Sequence, residues 1–310
     1  MSTTRTRATD CRPTAVRALF ERLAVETETD IREAYQFGMP FGETTITDRN
    51  LLEIRRANLR NIRVLHVQPR REREFGYDWE WWVRVGQKPW IVMFLQAKKL
   101  NPRKGKYDAL AHRISKSGKL QIDLLWQHAK ELGGIPLYAF YNGPRPSVEA
   151  WNCRSTPDDQ QFGCSIVPLH IVRTFMRSRR RRPKVTDFEN LHENNQAVPW
   201  RCIVCASQLG AAGVDEAPMS LLASLANPAI DVREYSELPF YLQQVINTED
   251  ERVRILEYPE SALMFPRHIA VILVEPPTGV APLLLPAPQS GDLPSLLDIG
   301  GAKQKSKVIL

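Results

Sequence analysis

Long apolar runs are missing from this chain. No stretch of about 18 consecutive apolar residues occurs in its 310 residues, so no membrane-spanning helix is expected. Residues 1–13 are polar and basic, without the apolar segment of a secretory leader, and the expectation is a cytoplasmic protein. Cysteine is scarce and odd in number, five in all, which argues against a secreted disulfide framework. Gly-rich phosphate loops, His-Glu-x-x-His and Gly-x-Ser-x-Gly are absent as well, so the common nucleotide, zinc-protease and serine-hydrolase signatures do not apply. Acidic residues are thin in the first two-thirds. Residues 1–209 hold 35 Lys and Arg against 22 Asp and Glu, a net of +13, whereas residues 210–302 hold 4 against 13, a net of −9. A basic body of this kind suits a polyanion such as nucleic acid. The acidic segment suits a partner protein or a homo-oligomer contact.

Apolar periodicity predicts a helix over 14–37, with Glu26–Asp30 as a point where it splits in two. A second helix is expected after Thr47 as N-cap, running to Asn61. Val64–Val67 reads as a strand, and Phe75–Val85 as another, rich in Trp and Val. The run from Trp90 to Ala97 is almost wholly apolar, as in a strand buried on both faces. An amphipathic helix follows over 120–132, ended by Gly133-Gly134, then strands at 135–141 and 163–167 and a helix from Pro168. Trp200–Cys205 looks like a strand and 268–274 like another, with two short helices between them at 217–226 and 237–247. The expected fold is α/β, a mixed sheet flanked by helices with a small C-terminal extension. The expected organisation is a flexible tail at 1–13, a core at 14–205, an acidic region at 206–283 packed on the core or meeting partners, and a disordered tail at 284–310.

Chemistry concentrates in the hairpin. Strand alternation puts Asp78, Glu80 and Trp82 on one face, and Gln96 and Lys98 on one face of the next strand. Two adjacent strands then bring acid, amide and lysine together beside an apolar core. Isolated buried charges are costly, and a divalent cation with a phosphate is a natural partner for this group.

Here the sequence resembles the PD-(D/E)XK nuclease superfamily, the restriction-endonuclease-like fold. Asp78 and Gln96-Ala97-Lys98 match its motif in the Gln-x-Lys form of the Mrr-type branch. The resemblance implies a helix, a three-stranded meander, a crossover helix and a further strand. It implies Mg²⁺ or Mn²⁺ held by Asp78, the Gln96 side-chain oxygen and the Ala97 carbonyl, with Glu80 as a further acid. Lys98 would position the attacking water, and Glu43 would be the acid of the first core helix. A glutamine on the following helix falls at Gln121 or Gln127, with Gln121 preferred. The implied substrate is DNA more than RNA, and the implied setting restriction or anti-phage defence. Chain-wide, Glu43-Thr-x-x-Thr47-Asp48, Asp78-Trp-x-Trp81, Gln96-Ala97-Lys98 and Tyr138-x-Phe140-Tyr141-Asn142 are similar to an uncharacterised bacterial family of unknown function.

Other features admit both structural and functional readings. Lys99, Arg103, Lys104 and Lys106 form a basic loop directly after the motif and are candidate nucleic-acid contacts. The run 177–184 has six basic residues in eight and reads as a second candidate or as a solvated loop. Cys202-x-x-Cys205 with Cys153, Cys164, His170 and His192 is half of a zinc pattern, and free buried cysteine is the simpler reading. Tyr77, Trp79, Trp81 and Trp90 are expected in the core, with Trp82 the one candidate for base stacking. A rival function is a catalytically inactive nuclease-like fold that binds nucleic acid or protein. A third is a toxin-like or structural protein built on the cysteines.

Overall fold

The computed structural model describes residues 14–59, 61–66, 76–85, 88–114, 118–143, 151, 159–177, 187–192, 197–204, 225, 229–240, 242–243 and 268–274. Helix α1 (Ala15–Gln36) begins on Thr14, whose hydroxyl oxygen accepts the Arg17 N–H at 3.1 Å, a side-chain N-cap. Its buried stripe includes Leu19, Phe20, Leu23 and Ile31. The acidic stretch at Glu26–Asp30 does not split the helix. Arg49 of the next helix lies 2.7 Å from Glu26 and 3.4 Å from Asp30, and Arg22 lies 2.7 Å from Glu26. Those cations relieve the repulsion that would have broken the helix. Asn50 adds a buried amide bond to the Thr27 hydroxyl at 3.1 Å.

Helix α2 (Glu43–Arg56) starts earlier and ends earlier than the sequence suggests, with Gly42 at its N-cap. Thr47 is an interior residue whose hydroxyl bonds the Tyr141 hydroxyl at 3.0 Å. Glu43 therefore stands in the first turn, where a carboxylate complements the helix dipole.

The strands are β1 (Ile62–His66), β2 (Trp79–Val85), β3 (Ile91–Lys99), β4 (Ile135–Tyr141), β5 (Cys164–Pro168), β6 (Val198–Pro199) and β7 (His268–Val274). They form one mixed sheet in the order β1-β7-β2-β3-β4-β5-β6. Strands β2 and β3 are an antiparallel pair, and helix α3 (Gln121–Leu132) carries the chain to β4, parallel to β3. Helices α4 (Leu169–Arg177) and α5 (Phe188–His192) complete the described helices.

Two features depart from expectation. The meander is interrupted, because β7 lies between β1 and β2, antiparallel to the first and parallel to the second. The run His268-Ile-Ala-Val-Ile-Leu-Val274 has no polar alternation; β1 and β2 pair its two edges, and Ala270, Val271 and Ile272 are buried in succession, so both faces are covered. The acidic C-terminal region thus contributes a central strand as well as whatever lies around it. Trp200–Val204 is a tight 3-10 turn instead of a strand, fixed by the Trp200 indole N–H donating to the Phe20 carbonyl at 2.7 Å.

The expected tails at 1–13 and 284–310, most of the 206–283 region, including all but residue 225 of the expected helix at 217–226 and residues 241 and 244–247 of the one at 237–247, residues 178–184 of the basic run, and Cys153 and Cys205 lie outside the described residues.

The sheet has two differently furnished faces. Trp79 and Trp81 pack with Phe20 and Trp200 on the α1 side, Phe20 standing edge-on to Trp81 at 5.6 Å. On the α3 side, Phe94 meets His128 at 4.9 Å and Tyr77 at 4.9 Å. Alternation along β3 then puts Gln96 and Lys98 on that same α3 face.

Candidate active site

Asp78 precedes the first residue of β2, and its backbone N–H donates to the Leu95 carbonyl at 2.9 Å. That bond sets the carboxylate beside the outgoing end of β3. Asp78 Oδ2 accepts the Ala97 N–H at 2.7 Å and the Gln96 side-chain N–H at 2.5 Å. Gln96 Nε2 also donates to the Ala97 carbonyl at 3.1 Å. The amide nitrogen thus sits between two acceptor oxygens, while Gln96 Oε1 is buried without a hydrogen-bond partner among the described residues, in a residue only 2% exposed. A buried oxygen without such a partner is expensive.

Lys98 lies two residues on and is 4% exposed. Its Nζ is 3.6 Å from Glu43 Oε2, and Glu43 Oε1 accepts the Lys99 N–H at 3.1 Å. The first turn of α2 is thereby pinned across the end of β3. Lys99 Nζ donates to the Phe41 carbonyl just before that helix. Burial pulls the Lys99 ammonium below its ordinary range, with the nearby Glu43 charge opposing the shift.

The neighbouring strand supplies a residue that the hairpin alone does not reveal. Tyr138 stands beside Gln96 in the parallel β3–β4 register and is fully buried. Its hydroxyl has no hydrogen-bond partner among the described residues. Burial drives its ionisation far above the usual phenol range, and the charges of Asp78, Asp123 and Glu43 push in the same direction. Gln121 opens α3, and its Oε1 is likewise buried with no hydrogen-bond partner among the described residues. Gly76 brings that helix close: a Cβ there would collide with the Gln121 carbonyl and come 2.8 Å from the Leu125 nitrogen. Gln96 and Tyr138 therefore share the face of Asp78 and Lys98, each with a polar atom that has no partner among the described residues, and Gln121 carries a third such atom in the first turn of α3.

The remaining candidates are engaged elsewhere. The Glu80 carboxylate takes the Trp82 indole N–H at 2.5 Å and the Tyr77 hydroxyl at 3.5 Å. Trp82 is buried and packs edge-on to Tyr235, so it offers no open face for a base. In the basic loop, Lys104 pairs with Asp108 at 3.1 Å and Lys106 with Asp187 at 3.6 Å. Arg103 hydrogen-bonds the Tyr35 hydroxyl at 3.2 Å and lies over its ring. Gln127 is exposed and bonds Glu131 at 2.9 Å.

Cys164 and Cys202 are buried thiols outside any disulfide, Cys164 pushed up to about 12 by burial. His192 donates through Nδ1 to the Phe188 carbonyl at 2.9 Å and meets the Ser165 hydroxyl through Nε2 at 2.6 Å. Both of its nitrogens are used by the fold.

Among the described residues no cluster of three or more His, Cys, Asp or Glu side chains could hold a metal ion. The donors at the hairpin are a different set: one carboxylate, one amide oxygen and one backbone carbonyl. All are oxygens, which suits Mg²⁺ or Mn²⁺ in a partly hydrated shell. Gln96 directs its N–H at Asp78 and at the Ala97 carbonyl, so these oxygens fit such an ion once the amide is turned to present Oε1. No helix among the described residues is long and apolar enough to cross a membrane.

No curated protein matches the chain. A protein-family model, described as a family of unknown function and designated DUF6615, matches residues 16–272, from the start of α1 into β7.

Proposed function

We propose that this chain, which belongs to the DUF6615 family of unknown function, is a metal-dependent nuclease that hydrolyses phosphodiester bonds in DNA. The supporting observation is the arrangement at the end of β3. Asp78 is bound to Gln96 and Ala97, and Lys98 on the same face is held by Glu43. Asp78, the Ala97 carbonyl and Gln96 Oε1 would hold the cation. Bound there, Mg²⁺ supplies a Lewis acid for the phosphoryl oxygen and a lowered pKa for water.

The protein's own groups do the rest. Lys98 Nζ orients the attacking water and counters the charge that builds on phosphorus. Glu43 fixes the Lys98 side chain so that little reorganisation is needed. Tyr138 offers an unused hydroxyl to the same face. Lys99 and the 101–106 loop supply positive charge for the flanking backbone, and the exposed Lys104–Asp108 pair costs little to exchange for phosphate. A cytoplasmic setting and a defence role accompany this proposal as its context.

The test is direct. Purified protein is incubated with DNA and RNA in Mg²⁺ or Mn²⁺, alongside Lys98→Ala and Asp78→Ala. Cutting by the parent and at least a hundredfold loss in both variants supports the reading. No metal-dependent cutting of any substrate removes it.

One observation favours a second reading, the inactive binding fold. Asp78 Oδ2 is already satisfied by two N–H donors, an arrangement that is stable without a metal. In that case nucleic-acid affinity is salt-dependent and unchanged by Asp78→Ala, and calorimetry detects no Mg²⁺ binding.

A further inference from the structure

The connection between α1 and α2 displays apolar side chains that a soluble surface normally hides. Phe37 is 77% exposed, Met39 64% and Tyr35 46%. They are not on a frayed end. Gly38 at φ +65° donates to the Tyr35 carbonyl at 3.2 Å, and Met39 donates to the Ala34 carbonyl at 2.8 Å. These two bonds form a Schellman motif, which needs a left-handed residue such as glycine at that position. In that motif the residue after the glycine commonly tucks against the helix, yet here Met39 stays out. The backbone therefore holds the two side chains outward in an ordered frame.

The same connection is fastened to the candidate active site at three points. Arg103 lies over the Tyr35 ring at 5.4 Å, Lys99 bonds the Phe41 carbonyl, and Glu43 joins Lys98 and Lys99. The aromatic surface thus carries Arg103 on it and has Lys104 in the adjoining loop, with the Asp78 and Lys98 end of β3 next to it. Cations that track a backbone, interleaved with aromatic faces that take bases, are how proteins hold single strands. A duplex presents its bases stacked inward and has no use for an exposed phenyl ring.

We infer that Tyr35, Phe37 and Met39, with Arg103 and Lys104, form a stacking platform for unpaired bases, so that the strand delivered to the site is single-stranded DNA. This inference rests on the nuclease reading for its second half. The platform itself is a binding surface and is tested apart from cleavage.

The experiment is fluorescence anisotropy on the full chain in EDTA. The probes are a labelled 20-nucleotide oligo(dT) and a 20-base-pair duplex. The proteins are the parent, Phe37→Ala/Met39→Ala, Phe37→Trp and Gln127→Ala. The expected result is a preference for the single strand that falls about tenfold in the double-alanine variant, with duplex affinity unchanged. Phe37→Trp retains the preference, and Gln127→Ala, at an exposed position of α3 outside both the platform and the site, binds the single strand as the parent does. Because Phe37 and Met39 are exposed, an unchanged melting temperature verifies the fold of each variant.

Equal weakening on both probes, no weakening, or no preference for the single strand overturns the platform. A cleavage assay with Mg²⁺ on both substrates separates the two readings. If nothing is cut while the Phe37-dependent preference holds, the nuclease reading fails and the platform stands. If the duplex is cut faster than the single strand and Phe37→Ala/Met39→Ala does not change that, the platform is overturned.

Discussion

The Glu43 carboxylate stands 3.6 Å from the Lys98 ammonium while its other oxygen accepts the Lys99 N–H. One side chain therefore fixes both the charge and the backbone at the end of β3. Glu43→Gln keeps an acceptor for Lys99 but removes the charge opposite a nearly buried cation. Losing one partner of a fully buried pair costs about 3–5 kcal/mol. Glu43 is about one-third exposed, so roughly 1–2 kcal/mol is expected here. Urea unfolding measures it. Cleavage should drop about tenfold, less than in Lys98→Ala, and an unchanged rate would detach Glu43 from the chemistry.

Asp78 ties two strands together and, in the proposed function, binds the cation. The two roles separate by substitution. Asp78→Ala leaves the Ala97 N–H and the Gln96 amide without their acceptor, a loss of about 1–3 kcal/mol. Asp78→Asn retains an acceptor of the same shape and should lose less. Mg²⁺ at several millimolar is expected to raise the melting temperature of the parent and of neither variant. Equal metal-induced shifts in all three would place the ion elsewhere.

The Tyr138 hydroxyl is buried with no partner among the described residues. Tyr138→Phe removes an unsatisfied polar atom and leaves the ring packing intact. The variant should be as stable as the parent or up to about 1 kcal/mol more stable. Cleavage should nevertheless fall several-fold, because the hydroxyl faces the same side of the sheet as Gln96. A loss of stability in urea would mean that the hydroxyl has a structural partner after all.

Strand alternation makes the Asp78–Gln96–Lys98 face readable, because side-chain direction on a hairpin follows from residue parity alone. The α/β class follows equally from the order of apolar runs and caps. Pairings between distant segments are less legible. The insertion of β7 beside β2 joins residues near 80 to residues near 270, and an all-apolar strand carries no mark of which neighbours it takes. Tyr138 is hidden for the same reason, since its place beside Gln96 depends on the β3–β4 register. The Lys104–Asp108 pair is visible as a spacing of four, whereas Lys106 and Asp187 lie far apart in the chain and meet only in the fold. The misplaced start of α2 has a local cause: Thr47 is a good cap by type, but its hydroxyl is committed to Tyr141.

Acid should unfold this protein through its buried histidines. Burial holds His128 and His192 down at about 4, from an ordinary value of 6.5. Both stay neutral in the fold where the unfolded chain takes up protons. Their contribution is complete above about pH 6.5 and is lost as pH falls towards 4, by up to roughly 3 kcal/mol each. The urea midpoint should therefore drop steeply across that window. His128→Gln, whose amide still reaches the Tyr77 hydroxyl, should flatten the slope. A parent midpoint that is level between pH 6.5 and 4 would contradict the buried neutral state.

Gly76 decides whether the first turn of α3 and the strand carrying Asp78 fit together. Its φ is +78°, which disfavours any side chain. A Cβ would also press on the backbone of Gln121 and Leu125, and backbone cannot rotate away as a side chain can. Gly76→Ala should therefore destabilise by more than left-handed strain alone, about 2–4 kcal/mol in all. The relief available is to move α3 outward, which shifts Gln121 relative to Asp78 and Gln96. Activity should then fall further than the folded fraction does, under conditions where urea curves show the variant still native. If activity simply follows the folded fraction, Gln121 does not contribute from its place on α3, and the close approach at Gly76 serves packing alone.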